Sequence, residues 1–117
     1  MDKFTELNTR VIKWADDKGI LEKATPLNQI GKTIEEVEET RDALLAQANE
    51  LNFYYNSKGK LKNTNNEILD GFGDVLVTVL IGCKLQEINP LHALELALNI
   101  IEKRTGKMIN GTFVKNK

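Results

Sequence analysis

The chain has 117 residues, 41% hydrophobic and 28% charged, with 16 basic and 17 acidic side chains and a formal net charge of -1. That length suffices for one domain with its own core and is too short for two. Balanced charge excludes the electrostatic footprint of nonspecific nucleic-acid or anionic-membrane binding, so neither is an expected partner.

No apolar run approaches the roughly 18–20 residues of a bilayer span. The start, MDKFTELNTR, is acidic and lacks the apolar core of a signal peptide. The single cysteine, Cys83, and the single histidine, His92, predict neither an intrachain disulfide nor a cysteine–histidine zinc site. Cys83 reads as a buried small hydrophobe and His92 as a surface or cap residue. The expected compartment is the cytosol.

In chain order, Phe4, Leu7, Val11 and Trp14 form an amphipathic stripe over residues 3–18, closed by Gly19. Thr25-Pro26 starts a second helix, with Thr25 as N-cap and proline at the first helical position. Its apolar seam is Leu27, Ile30, Ile34, Val37, Leu44, Ala48 and Leu51, interrupted by Arg41, and it is expected to reach Leu51 or Tyr55. Residues 56–66, NSKGKLKNTNN, read as a connecting loop.

EILDGFGDVLVTVLIGCKL mixes strand-favouring valines with helix-disfavouring glycines. It is long for a strand and has no similar segment to pair with, so a buried helix is predicted, its glycines allowing backbones to approach. Asn89-Pro90 starts a fourth helix lined by Leu91, Leu94, Leu98 and Ile101, expected to end at Gly106. The tail carries an Asn110-Gly111 turn between β-prone stretches and predicts a short hairpin or extended arm. The expected fold is all-α, a four-helix, bundle-like single domain over residues 1–117.

Two acidic clusters stand out. Glu35, Glu36, Glu38 and Glu39 crowd the second helix, where like charges at helical spacing repel. Lys32, Glu36 and Glu39 share a stripe beside the apolar seam, with Glu35 adjacent. Asp70 and Asp74 are i, i+4 neighbours, and Asp74 abuts VLVTVLIGC, where a partly buried carboxylate needs a partner such as a cation. Carboxylates on two facing helices form the oxygen-rich set that Mg²⁺ prefers. The competing reading is a solvated glutamate face with Asp74 paired to Lys32 or Arg104.

Lys32-Thr-Ile-Glu35-Glu36-Val-Glu38-Glu39 resembles the first motif of the MazG-like nucleoside triphosphate pyrophosphohydrolases, K-x-x-E-E-x-x-E. Asp70-Gly-Phe-Gly73-Asp74-Val-Leu-Val resembles their second, and Asn99-Ile-Ile-Glu-Lys103-Arg104 with the GKMINGTFVK tail is similar to their closing helix. Together these cover residues ~25–115 in the right order. The resemblance implies the all-α fold of that superfamily and Mg²⁺ (with Mn²⁺ as an alternative) held by Glu36, Glu39, Asp70 and Asp74. It also implies Glu35 as a further ligand or as the group orienting the attacking water, and Lys32, Asn99, Lys103 and Arg104 around the phosphates. One departure is that many members have E-x-x-D, and the position three before Asp74 is Gly71. Asp70 is the expected substitute. Glu67-Ile-Leu-Asp70 satisfies the pattern literally, but that register abandons the match to Gly73-Asp74-Val75-Leu76. In the Gly73-Asp74 register Glu67 lies two turns from Asp74 and outside the cluster.

The implied reaction is hydrolysis of a nucleoside triphosphate to monophosphate and pyrophosphate, a housecleaning of nucleotide pools, or a narrower relative acting on dUTP or a phosphorylated histidine precursor. Trp14, Phe53, Tyr54 and Tyr55 are the flat apolar candidates for the base, each also readable as core. The seam exceeds what one short helix covers, which predicts a homodimer or tetramer. The alternative is a non-catalytic helical interaction module.

Overall fold

In the computed structural model, which describes residues 1–117, helices dominate. They are α1 (Lys3–Asp17), α2 (Ile20–Lys23), α3 (Pro26–Ala48), α4 (Thr64–Leu85) and α5 (Pro90–Ile101). Two antiparallel hairpins accompany them, β1 (Phe53–Tyr55) with β2 (Leu61–Asn63) and β3 (Gly106–Ile109) with β4 (Thr112–Lys115). The chain divides into two compact units, Met1–Glu87 and Ile88–Lys117. No helix is long and apolar enough to cross a membrane.

Side-chain caps fix the helix starts. Asp2 accepts from the Thr5 amide at 2.8 Å, Thr25 from Asn28 at 3.1 Å, and Asn63 from Asn66 at 3.0 Å. Asn89 accepts from the Leu91 and His92 amides at 3.0 and 3.1 Å. Each satisfies a donor that the first helical turn leaves without a partner. Both cap-plus-proline starts therefore lie where the sequence puts them.

The ends differ from expectation. α3 stops at Ala48, where the Leu51 amide returns to the Ala46 carbonyl at 2.9 Å and Glu50 takes φ 58°. The α5 helix ends at Ile101, and Gly106 opens β3 instead of closing the helix. A single extra turn, α2, follows Gly19 (φ 77°) and makes five helices where four were expected. The expected loop at 56–66 is shortened from its far end. Residues 61–63 pair with 53–55, and buried Thr64 starts α4, its hydroxyl donating to the Leu51 carbonyl at 2.7 Å. In the second unit, Asn110 (φ 50°) and Gly111 (φ 80°) form the turn of a β3–β4 hairpin.

The first unit is organised by α3 against α4. Gln29, near the start of α3, donates to the Thr78 carbonyl at 3.1 Å, while Thr40, further along, touches Gly71 near the start of α4. The pair is therefore antiparallel. Its buried faces are Gln29, Thr33, Thr40, Ala43 and Ala46 on α3 and Gly71, Thr78 and Ile81 on α4. The expected apolar seam is not this face: Leu27 is 79% exposed and Ile34 53%. Small residues win the contact because the backbones approach too closely for larger ones. The buried apolar residues of the chain are Ala15, Ala43, Ala46 and Ile81, only one of them large.

Candidate functional site

Glu36 continues the packed stripe of α3 between Thr33 and Thr40, and Asp74 continues that of α4 between Gly71 and Thr78. With Gln29 opposite Gly82 and Thr40 opposite Gly71, the antiparallel pairing brings Glu36 level with Asp74. The Glu36 side chain is only 13% exposed and meets Lys32 Nζ at 3.4 Å, while Lys32 also reaches Glu35 at 3.3 Å. Partial burial opposes the charge on Lys32, but these two carboxylates more than offset it and raise its pKa.

Carboxylates here crowd one another. Glu39 has its pKa raised, first by partial burial and then by repulsion from Glu36 and Glu35, with Lys58 opposing. Asp74 is raised likewise, by burial and then by Asp70, Glu36 and Glu67, with Lys32 opposing. Charge from both helices therefore converges on this region.

Glu39, Asp70 and Asp74 line a cavity of about 210 Å³, joined by Asp42 and Glu67. The rest of its wall is the β1–β2 hairpin, with Tyr54, Lys58, Lys60 and Lys62. Sequence reasoning missed this wall by treating the segment as loop. The signal is the lysine-rich turn KGKLK itself, whose Lys58 and Lys60 lie in the turn and Lys62 in β2. Lys62 pairs with Glu67 at 3.7 Å. Tyr54 lies opposite Lys62 in the ladder, and burial followed by the charges of Glu67, Asp42 and Glu39 raises its pKa, so it remains a hydrogen-bond donor. Glu67, expected outside the cluster, is on the cavity wall.

Of the other expected site residues, Lys32, Glu35 and Glu36 do not line this cavity. Glu35 borders a neighbouring depression with Glu38, Glu39 and Lys58. Trp14 lies in an apolar groove of about 880 Å³ between α1 and α4, with Phe4, Leu7, Val11, Leu76, Val77 and Leu80. Asp74 borders both groove and cavity. Phe53 and Tyr55 are exposed, away from either. Asn99 on α5, and Lys103 and Arg104 after it, are exposed residues of the second unit. His92 is exposed, as expected, whereas Cys83 is only partly buried.

Comparison with protein-family models, curated proteins and solved structures finds no match. The site must be judged on its chemistry. Its carboxylate donors are all oxygen and mutually repelling, with Glu36 and Asp74 partly buried and Glu39 and Asp70 exposed, which suits a hard divalent cation that keeps waters and takes phosphate oxygens. No group of three or more acidic, histidine or cysteine side chains is closed up tightly enough to hold a metal ion as it stands.

Proposed function

We propose that this chain is a Mg²⁺-dependent nucleoside triphosphate pyrophosphohydrolase with the all-α, bundle-like fold its motifs imply. The observation that carries the reading is the placement of Glu36 and Asp74 level with each other on the packed faces of α3 and α4, with Glu39 and Asp70 beside them. A structural helix contact has no use for repelling carboxylates at that point, whereas a cation offsets their repulsion.

Glu36, Glu39, Asp70 and Asp74 hold the metal, with Mn²⁺ as an alternative. When bound, it neutralises phosphate oxygens and lowers the pKa of a bound water. Glu35, exposed and steadied by Lys32, orients the attacking water. Oxygen from that water bonds to the α-phosphorus, the bond to the α,β-bridging oxygen breaks, and pyrophosphate leaves as a water proton passes to a carboxylate. Asn99, Lys103 and Arg104 are assigned to the phosphates by the motif resemblance alone. The groove beside Asp74 offers Trp14 as the surface for the base.

The working form is a homodimer or tetramer. The seam of α3 is exposed from Leu27 to Leu51, as are Leu69, Phe72 and Leu76 on α4, and a chain with one large buried hydrophobe lacks the burial for independent stability. The same exposure favours the second reading, a non-catalytic helical interaction module. Product analysis across common and damaged nucleotides separates the two. Monophosphate and pyrophosphate in equal amounts, with turnover abolished by chelator, are expected. Diphosphate plus orthophosphate, or undiminished turnover after chelation, refutes the hydrolase reading.

A further inference from the structure

We propose that the β1–β2 hairpin is a polyphosphate-binding arm, in which Lys58, Lys60 and Lys62 hold the β- and γ-phosphates of the substrate and then the departing pyrophosphate. The inference rests on the hydrolase reading and names the groups in the first unit that take the charge of the leaving phosphates.

Three observations carry it. All three ammonium-bearing residues line the same open cavity as Glu39, Asp70 and Asp74, so basic and acidic groups face one space. The arm is held from its backbone. Asn56 Oδ1 accepts from the Lys58 and Lys60 amides at 3.0 and 2.9 Å, and Gly59 takes φ 75°, which a side chain would resist. Its heads are also uncommitted. Lys62 makes one long ion pair with Glu67, whereas Lys58 and Lys60 make none. By contrast Lys32 already serves Glu35 and Glu36.

Electrostatics explains the need. A polyphosphate meeting five carboxylates is repelled, and a cation held by those carboxylates offsets only part of that repulsion. Lysines on the hairpin that forms one wall of the cavity supply the remainder at the β- and γ-phosphates, the part of the substrate that leaves. Without substrate the same lysines moderate the acidic wall, as Lys58 does for Glu39. Tyr54, protonated on the same face as Lys62, adds a neutral donor.

The test uses the full-length chain and a Lys58→Ala/Lys60→Ala/Lys62→Ala variant, with the corresponding triple arginine variant as the conservative control. Binding of inorganic pyrophosphate in the presence of Mg²⁺ is measured by calorimetry, and KM and kcat on whichever nucleoside triphosphate is turned over. The alanine variant should weaken pyrophosphate binding and raise KM by about tenfold to a hundredfold, with kcat changed much less and the arginine variant near wild type. Wild-type KM should rise with ionic strength more steeply than that of the alanine variant. Single Lys58→Ala and Lys60→Ala variants, at exposed turn positions, give smaller shifts in the same direction if the triple variant does not fold. An active chain whose KM and pyrophosphate affinity ignore these lysines overturns the arm and leaves the hydrolase reading intact. A chain that binds pyrophosphate through them but hydrolyses no triphosphate keeps the arm and ends the hydrolase reading. Arginine variants as defective as alanine ones overturn the arm.

Discussion

Gly71→Ala should destabilise the chain although alanine is the better helix former. In a helix interior alanine is favoured over glycine by about 1 kcal/mol, and Gly73 shows the unobstructed case, with nothing within 4 Å of an added Cβ. At Gly71 the new Cβ meets Thr40 Oγ1 in a steric overlap and lies 3.1 Å from both Thr40 Cβ and Cγ2. Thr40 has little freedom to give way. It is β-branched, 5% exposed, and its hydroxyl donates to the Glu36 carbonyl at 2.7 Å. Overpacking of this kind costs about 1–3 kcal/mol. With the propensity gain deducted, Gly71→Ala should lose roughly 1 kcal/mol while Gly73→Ala gains up to about 1. Urea unfolding of both variants at matched protein concentration, without metal, gives the comparison. In a Thr40→Ala background the Oγ1 and Cγ2 overlaps are gone and only the 3.1 Å contact with the residue-40 Cβ remains, so most of the Gly71→Ala penalty should vanish, a coupling of about 1 kcal/mol. Because the same crossing brings α3 and α4 together at Glu36 and Asp74, Gly71→Ala should also shrink the stabilisation conferred by Mg²⁺. If Gly71→Ala stabilises as much as Gly73→Ala in the wild-type background, the helices are not in this contact and the site built on it fails.

Asp70→Asn and Asp74→Asn should each lower turnover at saturating Mg²⁺ by about a hundredfold or more without lowering the metal-free melting temperature, since each removes repulsion; Glu67→Gln should also impair turnover, less severely, and full activity in all three refutes a ligand set on α4. Glu39 and Asp74 have folded-state pKa values above their ordinary 4.5 and 3.8, so the folded chain keeps protons that the unfolded chain has lost. Their contribution to stability is greatest with both protonated and falls as pH rises from those ordinary values through the raised ones. The metal-free melting temperature should therefore decline across that window relative to a Glu39→Gln/Asp74→Asn variant, and a parallel pH profile refutes it. Sedimentation should show a dimer or larger, weakened by Ile34→Lys on the exposed seam. Sedimentation of the wild type as a 13.2 kDa monomer refutes it.

What the sequence disclosed follows from which interactions are local. Thr25-Pro26, Asn89-Pro90 and Asn110-Gly111 act through their own neighbours and are legible as caps and a turn. The β1–β2 hairpin was hidden because its pairing joins residues across a polar turn, and KGKLK has none of the apolar alternation that marks a buried strand. Periodicity located the α3 seam as a stripe, and in the single chain that stripe is exposed and not packed on α4. Nothing local says that Thr33, Thr40 and Ala43, one face over, are the residues that meet α4. That choice depends on the small residues of both helices acting together. The acidic site was visible as clustered charge, and Glu39, Asp70 and Asp74 do share a cavity. Its lysine wall was not, since it depends on the unrecognised hairpin.

Gly71 ties these threads together. Read as a motif position, it is a missing carboxylate, and that reading sets two registers against each other: Asp70 as substitute, or Glu67 with Asp70 as the literal pair. Packing bears on both registers. No side chain fits at Gly71 without displacing Thr40, so a glutamate there would part the very helices that bring Glu36 level with Asp74. The acidic groups must then come from positions flanking the contact, and Glu67, Asp70 and Asp74, at i, i+3 and i+7, fall on one side of α4. All three line the cavity, and both Glu67 and Asp70 raise the pKa of Asp74. The glycine makes the close approach, and the carboxylates beside it exploit that approach. A glutamate placed at Gly71 would therefore displace Thr40 and disturb the α3–α4 contact.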